Sequence, residues 1–176
     1  MDLEGFFEEI VFKILRVTRK LRLRRLILIG PTRKFMDYFK GFENAKAVKG
    51  IFGEDTKRVL SNLKVEFMGF GYMGVDNDTG HLFVNAHYLK NGDKVDIYLD
   101  IVHELYHIKQ WLEGRELFDN KYSYVDRPTE IEAYCYTVKE AKRLGLSDKR
   151  ILEYLKTEWI SNPELNRLAK TLDIMN

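Results

Sequence analysis

Between Lys94 and Glu113 the chain carries two unlike faces on one helical period, and this segment limits the fold more than any other. At about 100° per residue, Ile97, Ile101, Leu105, Ile108 and Leu112 form an apolar stripe to be buried. Asp96, Asp100, His103, His107 and Gln110 share a separate polar face. Asn91-Gly92-Asp93 precedes the segment, and Gly114 can stop it in the left-handed conformation. With 176 residues and 45% hydrophobic content, the chain holds enough apolar material for one core and too little length for two comfortable domains. Residues 1–176 therefore read as one domain, with an N-terminal extension over 1–60, a core over 64–144 and C-terminal helices over 148–172.

The remaining elements follow from periodicity and punctuation. Leu3, Phe6, Phe7, Ile10, Val11, Ile14 and Leu15 predict an amphipathic helix from residue 3 to about 20. Leu26 to Ile29 reads as a strand ended by Gly30-Pro31, followed by a weak helical stretch from Arg33 to Phe39 and a helix from Asp55 to Leu63. Two strand-like runs, Lys64 to Val75 and His81 to Tyr88, flank a turn at Asp76-Asn77-Asp78-Thr79-Gly80. Pro128 suits the first turn of a helix that runs to Leu144 and closes at Gly145. Ser147 can cap a helix from Asp148 to Ile160, and Asn162-Pro163 can open a last one through Leu172. The predicted fold class is α+β: a small antiparallel sheet with an edge strand, packed by the 94–113 helix, the 128–144 helix and further N- and C-terminal helices.

Composition narrows the function. The N-terminus opens Met-Asp-Leu-Glu, with acid where a signal peptide needs positive charge, and no apolar run approaches the roughly 20 residues that span a bilayer. A soluble, cytoplasmic protein without a transmembrane segment is expected. Cys135 is the single cysteine, so neither an intramolecular disulfide nor a cysteine-based metal cage can form, and any metal must be held by His and carboxylate. The net charge of +2 argues against a generic polyanion binder. Yet Lys13, Arg16, Arg19, Lys20, Arg22, Arg24 and Arg25 crowd together, where nucleic acid or an anionic membrane could dock. Solvated ends of a helix and an edge strand produce the same pattern.

His103-Glu104-Leu105-Tyr106-His107 places two imidazoles four residues apart, one above the other on one helical face, where one metal ion can be held by both. Glu104, beside the first, can take a proton from water that such an ion acidifies. A chance match is the competing reading, but the motif lies mid-helix and its histidines fall off the apolar stripe. A zinc site needs a third protein ligand, and Thr129-Glu130-Ile131-Glu132-Ala133 offers two. Ile131, Tyr134, Cys135, Val138 and Ala141 form the predicted apolar stripe there, with Cys135 a small buried side chain. Glu130 sits on the flank of that stripe and is the predicted ligand. Glu132 falls among Tyr136, Lys139 and Arg143 on the charged face. An acid in a first helical turn, favoured by the helix dipole, is the structural alternative for Glu130.

On HELYH at 103–107 and EIEA at 130–133, the chain resembles the gluzincin metallopeptidases, in particular their small single-domain members, the minigluzincins. The resemblance covers roughly residues 80 to 144. It implies one Zn2+ on His103, His107 and Glu130, Glu104 as general base, and an upstream edge strand that pairs with an extended peptide substrate. His81 to Tyr88 is the expected edge strand. Relatives often carry Asp or Asn four residues after the glutamate ligand to orient a histidine; here Tyr134 stands there, and its phenol can hydrogen-bond instead.

Weaker signals surround this centre. His81, Asn85 and His87 share one face of the predicted strand and could reach a cleft, although ordinary surface histidines are the commoner case. Tyr122 and Tyr124 precede the glutamate helix; Tyr124 is the predicted hydroxyl that stabilises a developing oxyanion. Asp76, Asp78 and Gly80 lack the further oxygen ligands of a calcium loop and fit a tight turn. The expected activity is zinc-dependent peptide hydrolysis. The alternative is a regulatory or adaptor protein whose basic segment 13–25 binds nucleic acid or membrane. In a third reading, Pro163 to Asn176 covers the cleft of a restrained protease.

Overall fold

The computed structural model describes residues 29–174 and the two-residue strand Arg22–Leu23. The expected helix over 3–20 lies outside the described residues, as does nearly all of the basic segment 13–25. In chain order the elements are β1 (Arg22–Leu23), β2 (Arg33–Lys34), α1 (Phe35–Tyr38), β3 (Phe39–Lys40), α2 (Lys46–Phe52), α3 (Thr56–Asn62), β4 (Lys64–Met68), β5 (Met73–Val75) and β6 (Leu82–Asn85). They continue with α4 (Ala86–Asn91), α5 (Lys94–Leu112), α6 (Pro128–Leu144), α7 (Asp148–Leu155) and α8 (Asn162–Thr171). The class is α+β, as the sequence predicts.

The sheet is mixed rather than antiparallel, in the order β2-β4-β6-β5. β6 pairs antiparallel with β5 and parallel with β4, matching Val65 to Leu82 and Phe67 to Val84. The 64–75 run breaks after Met68 in the Gly69-Phe70-Gly71 stretch, where Gly71 has φ +78°. Only its last three residues form the hairpin with β6, so β6 slots between the two halves of that run. Consequently β6 is an inner strand, and β2 and β5 are the outer strands of this sheet, which corrects the assignment of His81 to Tyr88 as the edge strand. That run also stops early: the Asn85 side chain accepts from the amides of His87 and Tyr88 and caps α4.

The turn joining β5 to β6 is tight, as expected. Asp76 Oδ1 accepts from the backbone N–H groups of Asp78 and Thr79 and from the Thr79 hydroxyl. Gly80 has φ +67°, and a Cβ there would lie 2.7 Å from the Trp111 ring. The Trp111 indole N–H donates to the Asn77 carbonyl at 2.9 Å, which pins the turn to the last part of α5.

α5 is the central element. Asp93 caps it through the amides of Val95 and Asp96. Ile97, Leu99, Ile101, Val102, Leu105 and Ile108 are buried in one core with Val65, Phe67, Leu82 and Val84 of the sheet. An aromatic group closes the other end: Phe35 stacks on Phe39 at 4.6 Å, and Phe42 meets Tyr98 at 5.9 Å. Leu112, predicted to end the buried stripe, is 55% exposed, although Gln110 on the same turn is fully buried.

α6 begins with Pro128 and ends at Gly145, φ 90°, as its punctuation predicts. The face it presents to α5 is turned from the predicted stripe. Glu130, Ala133, Tyr134, Thr137, Val138, Ala141 and Leu144 are buried, whereas Ile131 is half-buried and Cys135 exposed. Small side chains at 133, 137 and 141 admit a close approach of the two helices, and this places Glu130 on the inner face rather than its flank. α7 stops at Leu155, five residues short of the predicted end, and α8 opens with Ser161 and Glu164 in a capping box. No described helix is long and apolar enough to cross a membrane.

Candidate metal centre

α5 and α6 bring three donor side chains to one point. His103 Nε2 and His107 Nε2 lie 3.0 Å apart, and Glu130 Oε2 lies 3.3 Å from the first and 3.4 Å from the second. All three side chains are only 6% exposed. Ligands about 2.0–2.1 Å from a tetrahedral ion stand about 3.3 Å from one another, so the spacing fits an ion of that kind. Glu130 Oε2 has no hydrogen-bond partner although it is buried, which leaves its lone pairs aimed at the same space as the ring nitrogens. The donor set therefore fits a divalent cation. Among the described residues it is the one His/Cys/Asp/Glu group so arranged.

The electrostatics agree with that reading. Burial pushes Glu130 up, but His103 and His107 outweigh it and hold its carboxyl well below the usual range. Burial lowers His103; at His107 the neighbouring Glu130 overcomes burial and lifts the imidazole to about 9. Positive charge is thus favoured at the cluster, whether it arrives as a proton or as a metal ion.

Glu132, the other candidate ligand, faces elsewhere. Arg115 grips its carboxylate with both Nη1 and Nη2, and the Gln110 amide donates to Glu132 Oε2 at 3.0 Å. Gln110 is fully buried and is the chain's single glutamine. Its Nε2 also donates to the Thr129 carbonyl at 3.0 Å, which leaves Oε1 to accept from His107 Nδ1 at 2.7 Å. With Nδ1–H held by Gln110, His107 turns toward Glu130 the Nε2 that either a proton or a metal ion can occupy. Gln110 thereby braces the histidine helix against the residue that precedes Glu130. Its position on the polar face of α5 is legible in the sequence; its partner 19 residues onward is not.

Glu104 is 8% exposed and has no hydrogen-bond or ion-pair partner among the described residues. Burial pushes its carboxyl up to about 8. It borders two cavities that meet at the cluster, one of about 190 Å³ and one of about 330 Å³. Tyr124 borders both as well, and its hydroxyl lies 2.9 Å from that of Tyr134. Tyr134 packs its ring on His103 at 4.3 Å rather than bonding to it, and His103 Nδ1 is without a partner. The Tyr134 phenol does hydrogen-bond, but its partner is Tyr124, and it meets His103 by ring packing. Tyr122 is exposed and borders neither cavity.

His81 and His87 stay away from the centre. His81 Nδ1 pairs with Glu66 at 2.6 Å and borders a separate cavity of about 590 Å³ that contains none of the cluster. His87 is exposed on α4. Edge strand β5 lines the smaller site cavity along its whole length. Across the mouth, Trp159 packs on Tyr72 at 4.0 Å, and the Tyr72 hydroxyl donates to Glu158 at 2.7 Å. The segment bordering the cleft is thus 156–159. α8, within the predicted cover, docks on the 124–126 turn, where Arg167 donates to Asp126 at 3.1 Å. Comparison with family models, curated proteins and solved structures finds no match for this chain.

Proposed function

We propose that the chain is a metal-dependent hydrolase built on a helix-borne HExxH motif. More narrowly, it is a zinc peptidase of the gluzincin kind acting on extended peptide segments. The observation that carries this reading is the buried Glu130 Oε2, which lacks a hydrogen-bond partner, converging with two imidazole nitrogens beside a free Glu104. His103, His107 and Glu130 would hold the ion, and two imidazoles with one carboxylate form a donor set that suits zinc. Bound there, zinc supplies Lewis acidity, which polarises a carbonyl and acidifies water. Glu104 accepts the proton of the attacking water on its carboxylate and returns it to the leaving amine nitrogen. The Tyr124 hydroxyl donates to the carbonyl oxygen as charge develops on it.

Substrate binding follows from the sheet. The outer edge of β5 offers backbone groups to an added strand, so main-chain hydrogen bonds provide affinity with little dependence on sequence. Tyr72, Phe118 and Trp159, each 43–50% exposed, supply apolar surface along the rim. Incubating the zinc-loaded protein with a mixed peptide pool and identifying fragments by mass spectrometry tests this reading. Cleavage that disappears with a chelator and returns with zinc is expected; cleavage indifferent to chelation would reject the metal mechanism.

A further inference from the structure

The two cavities that meet at the cluster differ in chemistry. The smaller is walled by Val75, Leu117 and Phe118 beside the donor residues. The larger is walled by Tyr88, Tyr134 and Tyr154 and contains Asp100, one turn before His103 on α5. Asp100 Oδ2 accepts from the Tyr88 hydroxyl at 2.5 Å, and Oδ1 accepts from the Tyr154 hydroxyl at 2.9 Å. Both oxygens are therefore fixed, yet no cation of the described residues pairs with this carboxylate. Its neighbour Asp96 differs, since Arg150 donates to Asp96 Oδ1 at 2.5 Å.

Resting on the peptidase reading above, we propose that the larger cavity receives a positively charged group of the substrate, an ammonium or guanidinium, with Asp100 as its counter-charge. Carboxylates withdrawn from water are normally paired, and half-buried Asp100, fixed by phenols inside a cleft, has geometry for a cation without having one. Burial raises the Asp100 acid to about 6, so at neutral pH it is mostly ionised at a cost that a cation offsets. The tyrosine rings accommodate an aliphatic stem and attract the charge at its end. Glu153 and Glu158 also border the cavity, against Lys156 alone, so an acidic side chain is disfavoured. Along a strand added to β5, successive side chains alternate in direction. One can then enter the apolar cavity while a neighbour enters the carboxylate cavity.

The test uses short peptides that differ at one position, Lys, Arg, norleucine or Glu, beside a constant apolar residue, each with a free or an acetylated N-terminus. Cleavage rates on the zinc-loaded wild type and on Asp100→Asn are compared, and the same peptides are titrated calorimetrically into zinc-loaded Glu104→Gln protein. The wild type is expected to favour the cationic peptides over norleucine by roughly ten-fold or more, with that ratio falling toward one in Asp100→Asn. A preference kept by acetylated peptides assigns the charge to a side chain; one seen only with free amines assigns it to the N-terminal ammonium. Equal handling of Lys and norleucine by the wild type, in cleavage and in binding, overturns the proposal without recourse to any Asp100 variant. So does a preference that survives Asp100→Asn. Selective binding without any cleavage would keep the cavity and reject the peptidase, whereas unselective cleavage would do the reverse.

Discussion

Glu104→Gln protein is expected to keep its metal ion and lose peptide hydrolysis by about 10²- to 10⁴-fold, the range over which a positioned acid or base contributes. Glu104 is not one of the three converging donors, and the exchange preserves size, so the cluster should persist. What disappears is the ability to take up a proton and hand it on. The carboxyl is suited to that transfer because it is buried, unpartnered among the described residues and pushed up to about 8, which brings its acid and base forms close in energy near neutral pH. Metal content and cleavage of the same preparation decide the matter. A variant that cleaves at the wild-type rate would remove Glu104 from the chemistry. One that loses the ion as well would make it a structural residue.

Gln110→Leu is expected to weaken metal binding about 10- to 100-fold, the usual consequence of removing a partner that orients a ligand histidine. The leucine can neither accept from His107 Nδ1 nor donate to the Thr129 carbonyl, so the imidazole loses its fixed tautomer and the two helices lose a brace. Unsatisfied buried groups should also cost about 1–3 kcal/mol of stability. Gln110→Glu separates the two effects, because a carboxylate still accepts from His107 while losing the donation to Thr129. Affinity measured against a chromogenic chelator should recover in that variant, although thermal stability without metal does not. Equal affinity in Gln110→Leu and wild type would reduce Gln110 to a packing residue.

The candidate-site part of the sequence is legible because local rules dominate there. Asp93 and Gly145 mark helix ends through capping chemistry, and the 103/107 spacing follows from 3.6 residues per turn. Periodicity favours Glu130 over Glu132, and the cluster indeed contains Glu130, but α6 is rotated from the orientation that its apolar stripe predicts. Ala133 and Thr137, rather than Ile131 and Cys135, face α5, since closeness of approach outweighs hydrophobicity where two helices carry a shared site. Sheet order is not legible. Whether β6 pairs with β4 or with β5 alone depends on contacts between segments that local pattern does not encode, and the break at 69–71 reads as a continuous strand. α2 escapes the sequence reading because it is short and contains Gly50, which leaves room for Tyr136 to reach the Ala47 carbonyl at 2.7 Å. The conversion of strand into helix at Asn85 likewise hides in a single capping side chain. Asp100 is only one more acid on a polar face until the fold brings Tyr88 and Tyr154 around it.

The central claim is a catalytic metal centre on His103, His107 and Glu130, and elemental analysis after dialysis tests it most directly. Wild type, His107→Ala, Glu130→Gln and Glu132→Gln are compared after purification and an offer of zinc. The proposed site predicts about one zinc per chain in the wild type and in Glu132→Gln, loss in His107→Ala and weakening in Glu130→Gln. A wild-type chain that binds no zinc, or one that depends on Glu132 and not Glu130, would contradict it.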